Sequence, residues 1–234
     1  MRVLIFGATG MVGQGVLREC LLDSDVARVV TLGRTPARGW MVEGSPKLRQ
    51  IVHSDLQNYA GIEGELAGFD ACFFCMGVSS SGMQEADYER VTYGITLAAA
   101  DVVSRINPGM TFIYVSGAGT DSSEQGRSMW ARVKGKTENA LLRLPLKAYM
   151  FRPGLIEPLD GIRSKTRAYR VFYGVSGPLL PVVRRALPNQ VLTTREIGQA
   201  MLAVARSGYE RRVLEVKDIR AVLRGLILEL QEKI

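Results

Sequence analysis

The sequence predicts a doubly wound α/β fold, a parallel sheet covered by helices on both faces. Short β-rich runs alternate with helical patterns through the first half of the chain, as parallel strands joined by crossover helices require. Those runs are nearly all apolar, as expected of strands buried on both faces. A glycine-rich turn also separates the first run from the first helical pattern.

Each element follows from its pattern. Residues 3–6 are the first expected strand and 12–22 the helix after it. Residues 28–32 and 48–53 give the second and third strands, and 71–74 the fourth. A long helix is expected across 88–104, a fifth strand at 111–115, a helix at 129–142 and a sixth strand at 147–151. From Arg152 the composition changes. Pro153, Pro158, Pro178, Pro181 and Pro188 interrupt the chain, so 152–190 is expected as a loop-and-helix insertion rather than more sheet. Thr193 followed three residues later by Glu196 spells a capping box that opens the next helix. Residues 212–216 can return as an edge strand. Ile219, Val222, Leu223, Leu226, Ile227 and Leu230 then repeat at three- and four-residue spacing, an amphipathic C-terminal helix over 218–232. That stripe packs on the sheet or on a partner subunit, as in a homodimer. The whole chain, 1–234, reads as one domain.

Composition sets the outer limits. At 234 residues, 47% hydrophobic and 23% charged, the chain is neither disordered nor repetitive. A chain this long buries roughly 70–75% of its unfolded surface without metal or cross-link. No apolar stretch approaches the roughly 20 residues of a membrane span. The N-terminus turns glycine-rich too early for a signal peptide, and three cysteines is an odd count; together these predict a reducing cytoplasm. The net charge is +7. Residues 161–190 supply Arg163, Lys165, Arg167, Arg170, Arg184 and Arg185 and no acid. Such a local excess, without stacking residues or a reading helix, argues against nucleic-acid binding.

Gly7-Ala8-Thr9-Gly10-Met11-Val12-Gly13 lies between the first strand and its helix. Gly7 allows a sharp turn, Gly10 a close approach of backbone to a pyrophosphate, and Gly13 tight packing of helix on sheet. The helix N-terminus offers free N–H groups to the phosphates, with Thr9, Met11 and Val12 beside the glycines in that cradle. This is the Rossmann-type arrangement for a dinucleotide. An acid at the end of the second strand would favour NAD. The strand instead ends Leu32-Gly33-Arg34, with Arg38 close by. A guanidinium suits a 2′-phosphate, so NADP is expected over NAD.

These residues resemble an atypical short-chain dehydrogenase/reductase of the NAD-dependent epimerase/dehydratase superfamily. The likeness is to its small NAD(P)H-binding branch, which includes the Tat-interacting-protein-like oxidoreductases. It rests on the glycine turn, Ser54-Asp55-Leu56, Met76-Gly77, Tyr114-Val115-Ser116, Lys134-Gly135 and Arg152-Pro153-Gly154. The resemblance implies Asp55 and Leu56 at the adenine and Met76 and Gly77 beside the nicotinamide ribose. It also implies Ser116 at the catalytic serine position and Pro153 and Gly154 along the nicotinamide face. The family's active-site helix carries Tyr-x-x-x-Lys, in which the Lys holds the ribose hydroxyls and the Tyr moves a proton. Here the stretch is Trp130-Ala131-Arg132-Val133-Lys134: Lys134 matches and Trp130 stands at the Tyr position. The spacing keeps both on one helix face, but an indole N–H is no physiological proton donor and acceptor. Tyr88, Tyr93 and Tyr114 are other phenols that could supply a proton: Tyr93, on the helix after the fourth strand, could face the cleft, and Tyr114 is expected in the core.

Other signals have plainer readings. Cys72 and Cys75 spell C-x-x-C inside a strand, where residues three apart point to opposite faces; two buried thiols are expected, and no metal site. His53 is read as structural or near the adenine. In the basic segment, Arg163, Arg167 and Arg170 repeat at helical spacing beside an apolar stripe. They could hold an anionic substrate, residues 162–183 could lie on an anionic membrane, or the helix could pack on the core with a solvated basic side. The leading expectation is an NADP(H)-dependent oxidoreductase acting on a small carbonyl or hydroxyl substrate. The rivals are a non-catalytic NADPH-binding sensor or assembly protein and a nucleoside-diphosphate-sugar epimerase; the short C-terminal substrate-side region counts against the last.

Overall fold

The structure, a computed structural model, describes residues 1–39, 42, 44–162, 185 and 190–231. Arg163, Arg167, Arg170 and most of the 162–183 stretch lie outside the described residues. The chain runs β1 (Arg2–Phe6), α1 (Met11–Leu22), β2 (Arg28–Gly33), β3 (Leu48–Val52), β4 (Ala71–Phe74), α2 (Glu85–Glu89), α3 (Ile95–Ile106), β5 (Thr111–Val115), α4 (Met129–Leu141) and β6 (Lys147–Arg152). It continues through β7 (Leu155–Glu157), β8 (Val191–Thr193), α5 (Thr194–Ser207), β9 (Val213–Glu215) and α6 (Val216–Gln231).

Seven strands form one parallel sheet in the order β3-β2-β1-β4-β5-β6-β9. The chain moves outward from β1 to β3, then crosses to β4 on the other side of β1. That crossing makes a crevice at the carboxyl ends of β1 and β4, the place where open α/β sheets bind ligands. The edge strand expected at 212–216 is β9, paired with β6 through Met150↔Val213, Phe151↔Leu214 and Arg152↔Glu215. β7 and β8 form a separate parallel pair.

Strand alternation divides the core. Val3, Ile5, Ala71, Phe73 and Ile113 face Val16, Leu17 and Cys20 of α1 and Ile197, Met201 and Val204 of α5. Leu4, Phe6, Cys72, Phe74 and Phe112 face Ala99, Ala100 and Val103 of α3. Cys72 and Cys75 consequently pack in different layers, and both thiols are free. Burial raises the pKa of Cys72 and pushes Cys75 up to about 12, as for inert thiols.

Two local features bear on the site. Thr193 Oγ1 accepts from Glu196 N at 3.0 Å while Thr193 N donates to Glu196 Oε2 at 2.7 Å, the expected capping box. The helix expected without interruption across 88–104 instead holds a π-helical turn at Arg90–Gly94 between α2 and α3. At this turn the Arg90 carbonyl accepts from Gln57 Nε2 at 3.3 Å.

Candidate functional site: the crevice between β1 and β4

The glycine turn holds two positions closed by packing and one that is open. Gly7 has φ +78, and a Cβ there would stand 2.7 Å from Met76 N, inside the β4 exit. A Cβ on Gly13 would stand 2.1 Å from Gly7 O, so α1 seats on the turn only because that position is bare. Gly10 is different. A Cβ there would meet only Gly7 O, at 3.4 Å, and its other surroundings are open. Gly10 is the N-cap of α1, with no side-chain cap and no acid in the first turn. The first-turn N–H groups at Met11, Val12 and Gly13 therefore have no side-chain acceptor among the described residues, the arrangement from which helix N-termini bind anions.

Beside this helix end lies a cleft of about 380 Å³, between Ala8, Thr9 and Gln14 on one side and the 35–38 turn on the other. Arg38 lines it, while Arg34 opens the same turn as an exposed residue. Among the described residues neither arginine has an ion-pair partner. Asp55 is exposed and accepts from Gln57 N at 3.0 Å through Oδ1. Leu56 is only 4% exposed and packs with Phe6 and Tyr59, so its main chain alone can meet a ligand. His53 Nε2 donates to Asn58 O at 2.7 Å and its ring lies against Tyr59, which makes it structural.

The far end of the crevice is built differently. Ser116 follows β5 and is 9% exposed. Its hydroxyl donates to Glu138 Oε1 at 2.5 Å, with Phe151 O at 3.2 Å. Glu138, one helical turn beyond Lys134, is 1% exposed and is gripped by Arg152 through Nε at 3.0 Å and a second short contact. Arg152 also donates to Glu215 Oε1 at 3.1 Å and to Ser122 Oγ at 2.5 Å. A serine has one proton, so this engagement leaves Ser116 only lone pairs for a substrate. Lys134 Nζ donates to Ser116 O at 2.5 Å and lies 5.7 Å from the Tyr114 ring centre. Burial brings its pKa down to about 8, against the pull of the Glu138 charge.

Trp130 occupies the helix position four before Lys134, and its ring edge would stand 3.5 Å from a Cβ on Gly119 in the loop after β5. The tyrosines offer no ready substitute. Tyr114 and Tyr88 are buried, and burial raises the Tyr114 pKa strongly. Tyr93 lies under Lys136 Nζ, 5.1 Å from its ring centre.

Met76 is half-buried and Gly77 exposed on the segment leaving β4. Pro153 O accepts from Ala118 N at 2.8 Å, tying the β6 exit to the loop after β5. A Cβ on Gly154 would stand 2.5 Å from Gln190 O, so this glycine is required by the close approach of the β8 segment. Sequence reasoning missed Gln50 and Glu138. Each is a polar residue in an element where spacing reads it as solvent-facing. Only the four-residue offset from Lys134 marked Glu138.

Residues 7–157 match the family described as NAD(P)H-binding. The chain is similar to Protein FMP52, mitochondrial, of Debaryomyces hansenii, with 27% identity over 174 residues, 71% of this chain and 70% of that protein. Its fold is similar to the Bordetella bronchiseptica enzyme WbmF in complex with NAD+, at TM-score 0.68 and 15% identity over 92% of this chain and 72% of that one. It is also similar to a short-chain dehydrogenase/reductase family oxidoreductase from Burkholderia thailandensis, at TM-score 0.66 and 16% identity over 97% of each chain. The FMP52 proteins of D. hansenii, Aspergillus fumigatus and Candida albicans are all named mitochondrial. That overturns the expectation of a cytoplasmic protein: free thiols suit any reducing compartment and do not single out the cytoplasm.

Proposed function

Because the chain belongs to the NAD(P)H-binding family, we propose that it is an NADP(H)-dependent oxidoreductase of atypical short-chain type, acting on a small carbonyl or hydroxyl substrate. The observation that carries the cofactor choice is the pairing of an uncapped α1 N-terminus with Arg34 and Arg38 on the facing turn. A 2′-phosphate is matched by guanidinium and would be repelled by the acid expected in an NAD site.

In this reading Gly7 and Gly13 shape the turn, while Gly10, Thr9 and the N–H groups of Met11 and Val12 hold the pyrophosphate. Arg34 holds the 2′-phosphate, the Asp55 carboxylate and Leu56 main chain meet the adenine, and Lys134 holds the nicotinamide ribose. Met76 and Gly77 border that ribose, and Pro153 and Gly154 border the nicotinamide face. The bound dinucleotide supplies or takes the hydride. With its proton directed at Glu138, Ser116 Oγ can accept from a substrate hydroxyl, and its main-chain carbonyl fixes Lys134. Trp130 covers the loop after β5 and excludes water without moving a proton. Arg163, Arg167 and Arg170 would favour an anionic substrate.

A second reading, a non-catalytic NADPH-binding sensor, is favoured by one observation: the Ser116 hydroxyl is directed at Glu138 rather than into the crevice. Parallel calorimetric titrations with NADPH and NADH come first. Much tighter NADPH binding supports the cradle and the Arg34 role; equal binding removes Arg34 from it; no binding ends the oxidoreductase reading. Trp130→Tyr is then assayed on a carbonyl panel. A tyrosine acid contributes about 10²–10⁴-fold, so a gain of that order supports a degenerate but otherwise complete site. Native turnover that the variant cannot improve overturns the idea that Trp130 limits the chemistry.

A further inference from the structure

We propose that Gln50 is a positioning residue that sets the cofactor preference of the crevice, by fixing the main-chain turn that carries Arg34 and Arg38. The inference rests on the NADP(H) reading above and adds a residue that touches no cofactor.

β2 leaves the sheet at Gly33, and three residues after Arg34 the chain buries Ala37, which is 7% exposed. A buried main-chain N–H and C=O must both be satisfied. Here one side chain from the neighbouring strand satisfies both. Ala37 N donates to Gln50 Oε1 at 2.7 Å, and Gln50 Nε2 donates to Ala37 O at 3.2 Å. The Thr31 hydroxyl lies 3.5 Å from the same Oε1. The two contacts fix which way the amide faces, since the N–H can only donate and the carbonyl can only accept. A side-chain amide carries both the donor and the acceptor this contact needs, on adjacent atoms. A carboxylate would satisfy the N–H and repel the carbonyl, and an aliphatic chain would leave both unpaired.

The pinned residue sits between the two cations. Arg38 follows it directly, and Arg34 is three residues before it on the same turn. Both are exposed and have no ion-pair partner among the described residues. Holding the turn in one conformation removes part of the ordering cost that binding a phosphate there would incur. The pyrophosphate cradle belongs to the β1–α1 turn, which Gln50 does not touch in any hydrogen bond. Loosening the 34–38 turn should therefore weaken a cofactor bearing a 2′-phosphate and spare one bearing a 2′-hydroxyl.

The test is calorimetric titration of the full chain with NADPH and with NADH, for the native protein and for Gln50→Met, which keeps the length and removes both hydrogen bonds. The expected result is a fall of about three- to tenfold in the ratio of NADPH to NADH affinity, with NADH affinity nearly unchanged. A merely structural role would lower both affinities together and leave the ratio alone. The same substitution in an Arg34→Ala/Arg38→Ala background should leave the ratio unmoved, because Gln50 acts only through those residues. If Gln50→Met does not fold, Gln50→Asn, whose amide stops one methylene short of Ala37, is titrated instead with the same expectation. An unchanged ratio in the folded variant, while the native protein still prefers NADPH, overturns the role of Gln50 alone. A native protein that binds both cofactors equally, or neither, overturns the NADP(H) reading and the Gln50 role with it.

Discussion

The two ends of the crevice use polar groups in opposite ways. At the β1–α1 end, helix N–H groups are uncapped and two arginines stand without ion-pair partners among the described residues. At the β5–α4 end, Ser116, Glu138, Arg152, Glu215 and Ser122 are engaged with one another. Groups held in reserve mark a surface prepared for a ligand, whereas groups closed on each other mark a scaffold. That contrast separates, in physical terms, the end where a nucleotide would be held from the end where the family this chain resembles moves a proton. In the function proposed above, the open end would hold the nucleotide and the closed end would keep a lysine on a rigid frame.

The largest effect is expected where the closed end is broken. Glu138→Ala leaves Arg152, itself 8% exposed, with Glu215 as its remaining carboxylate partner. Removing one member of a buried pair typically costs about 3–5 kcal/mol, and urea unfolding should show a loss of that size. A loss under about 1 kcal/mol would mean that the network is solvated and that the contrast between the two ends is wrong. Next comes a pair at the open end. Gly13→Ala places a Cβ 2.1 Å from Gly7 O and should destabilise the fold by about 3 kcal/mol through overpacking. Gly10→Ala meets only an ordinary contact at 3.4 Å. It should change stability by less than about 1 kcal/mol yet weaken both cofactors in titration. If both alanines act on stability alone, Gly10 faces no ligand.

How far the sequence reached follows the same division. The strand–glycine–helix unit was legible because its signal is local: Gly7, Gly10 and Gly13 lie within seven residues, between a strand and a helix, although the contact that requires Gly7 comes from Met76 at the β4 exit. The positions of the seven sheet strands along the chain, the C-x-x-C split across two core layers and the Thr193 cap were legible for the same reason, since alternation and capping are short-range; the order of the strands in the sheet comes from the structure. The closed end was not. Glu138 reads as a surface glutamate on an amphipathic helix until Arg152, fourteen residues on, is folded against it. Gln50 reads as a polar residue on an edge strand until Ala37 returns to meet it. Both are tertiary partnerships between residues that carry no pattern of their own. The Ser116 hydroxyl, placed by resemblance at the substrate, is turned by the first of these partnerships toward the helix.

A smaller effect sharpens the open end. Arg34→Ala should weaken NADPH by about tenfold, the loss of one charge-assisted contact of roughly 1.5 kcal/mol, and leave NADH within about twofold. The loss should shrink as salt is raised, because the guanidinium is exposed and screened. Equal losses for the two cofactors would assign Arg34 to the pyrophosphate rather than the 2′-phosphate.

The smallest effect lies at the lysine that joins the two ends. Burial lowers the Lys134 pKa to about 8 in the folded chain, below the ordinary value of 10.5. Below pH 8 both folded and unfolded chains carry the proton, and the folded state bears the full cost of a charge held away from water. Between about pH 8 and 10.5 the unfolded chain binds the extra proton, so this group's contribution makes stability rise with pH. Tyrosines and cysteines titrate in the same range, so the measurement is a difference, native minus Lys134→Met, taken by urea unfolding from pH 7 to 10. Those other groups cancel in the difference, and native stability should gain on the variant as pH rises through 8. The gain should be on the order of 1 kcal/mol, since water in the crevice screens part of the burial. A difference that stays flat would place the ammonium in water, free of the frame that Ser116 and Glu138 build around it.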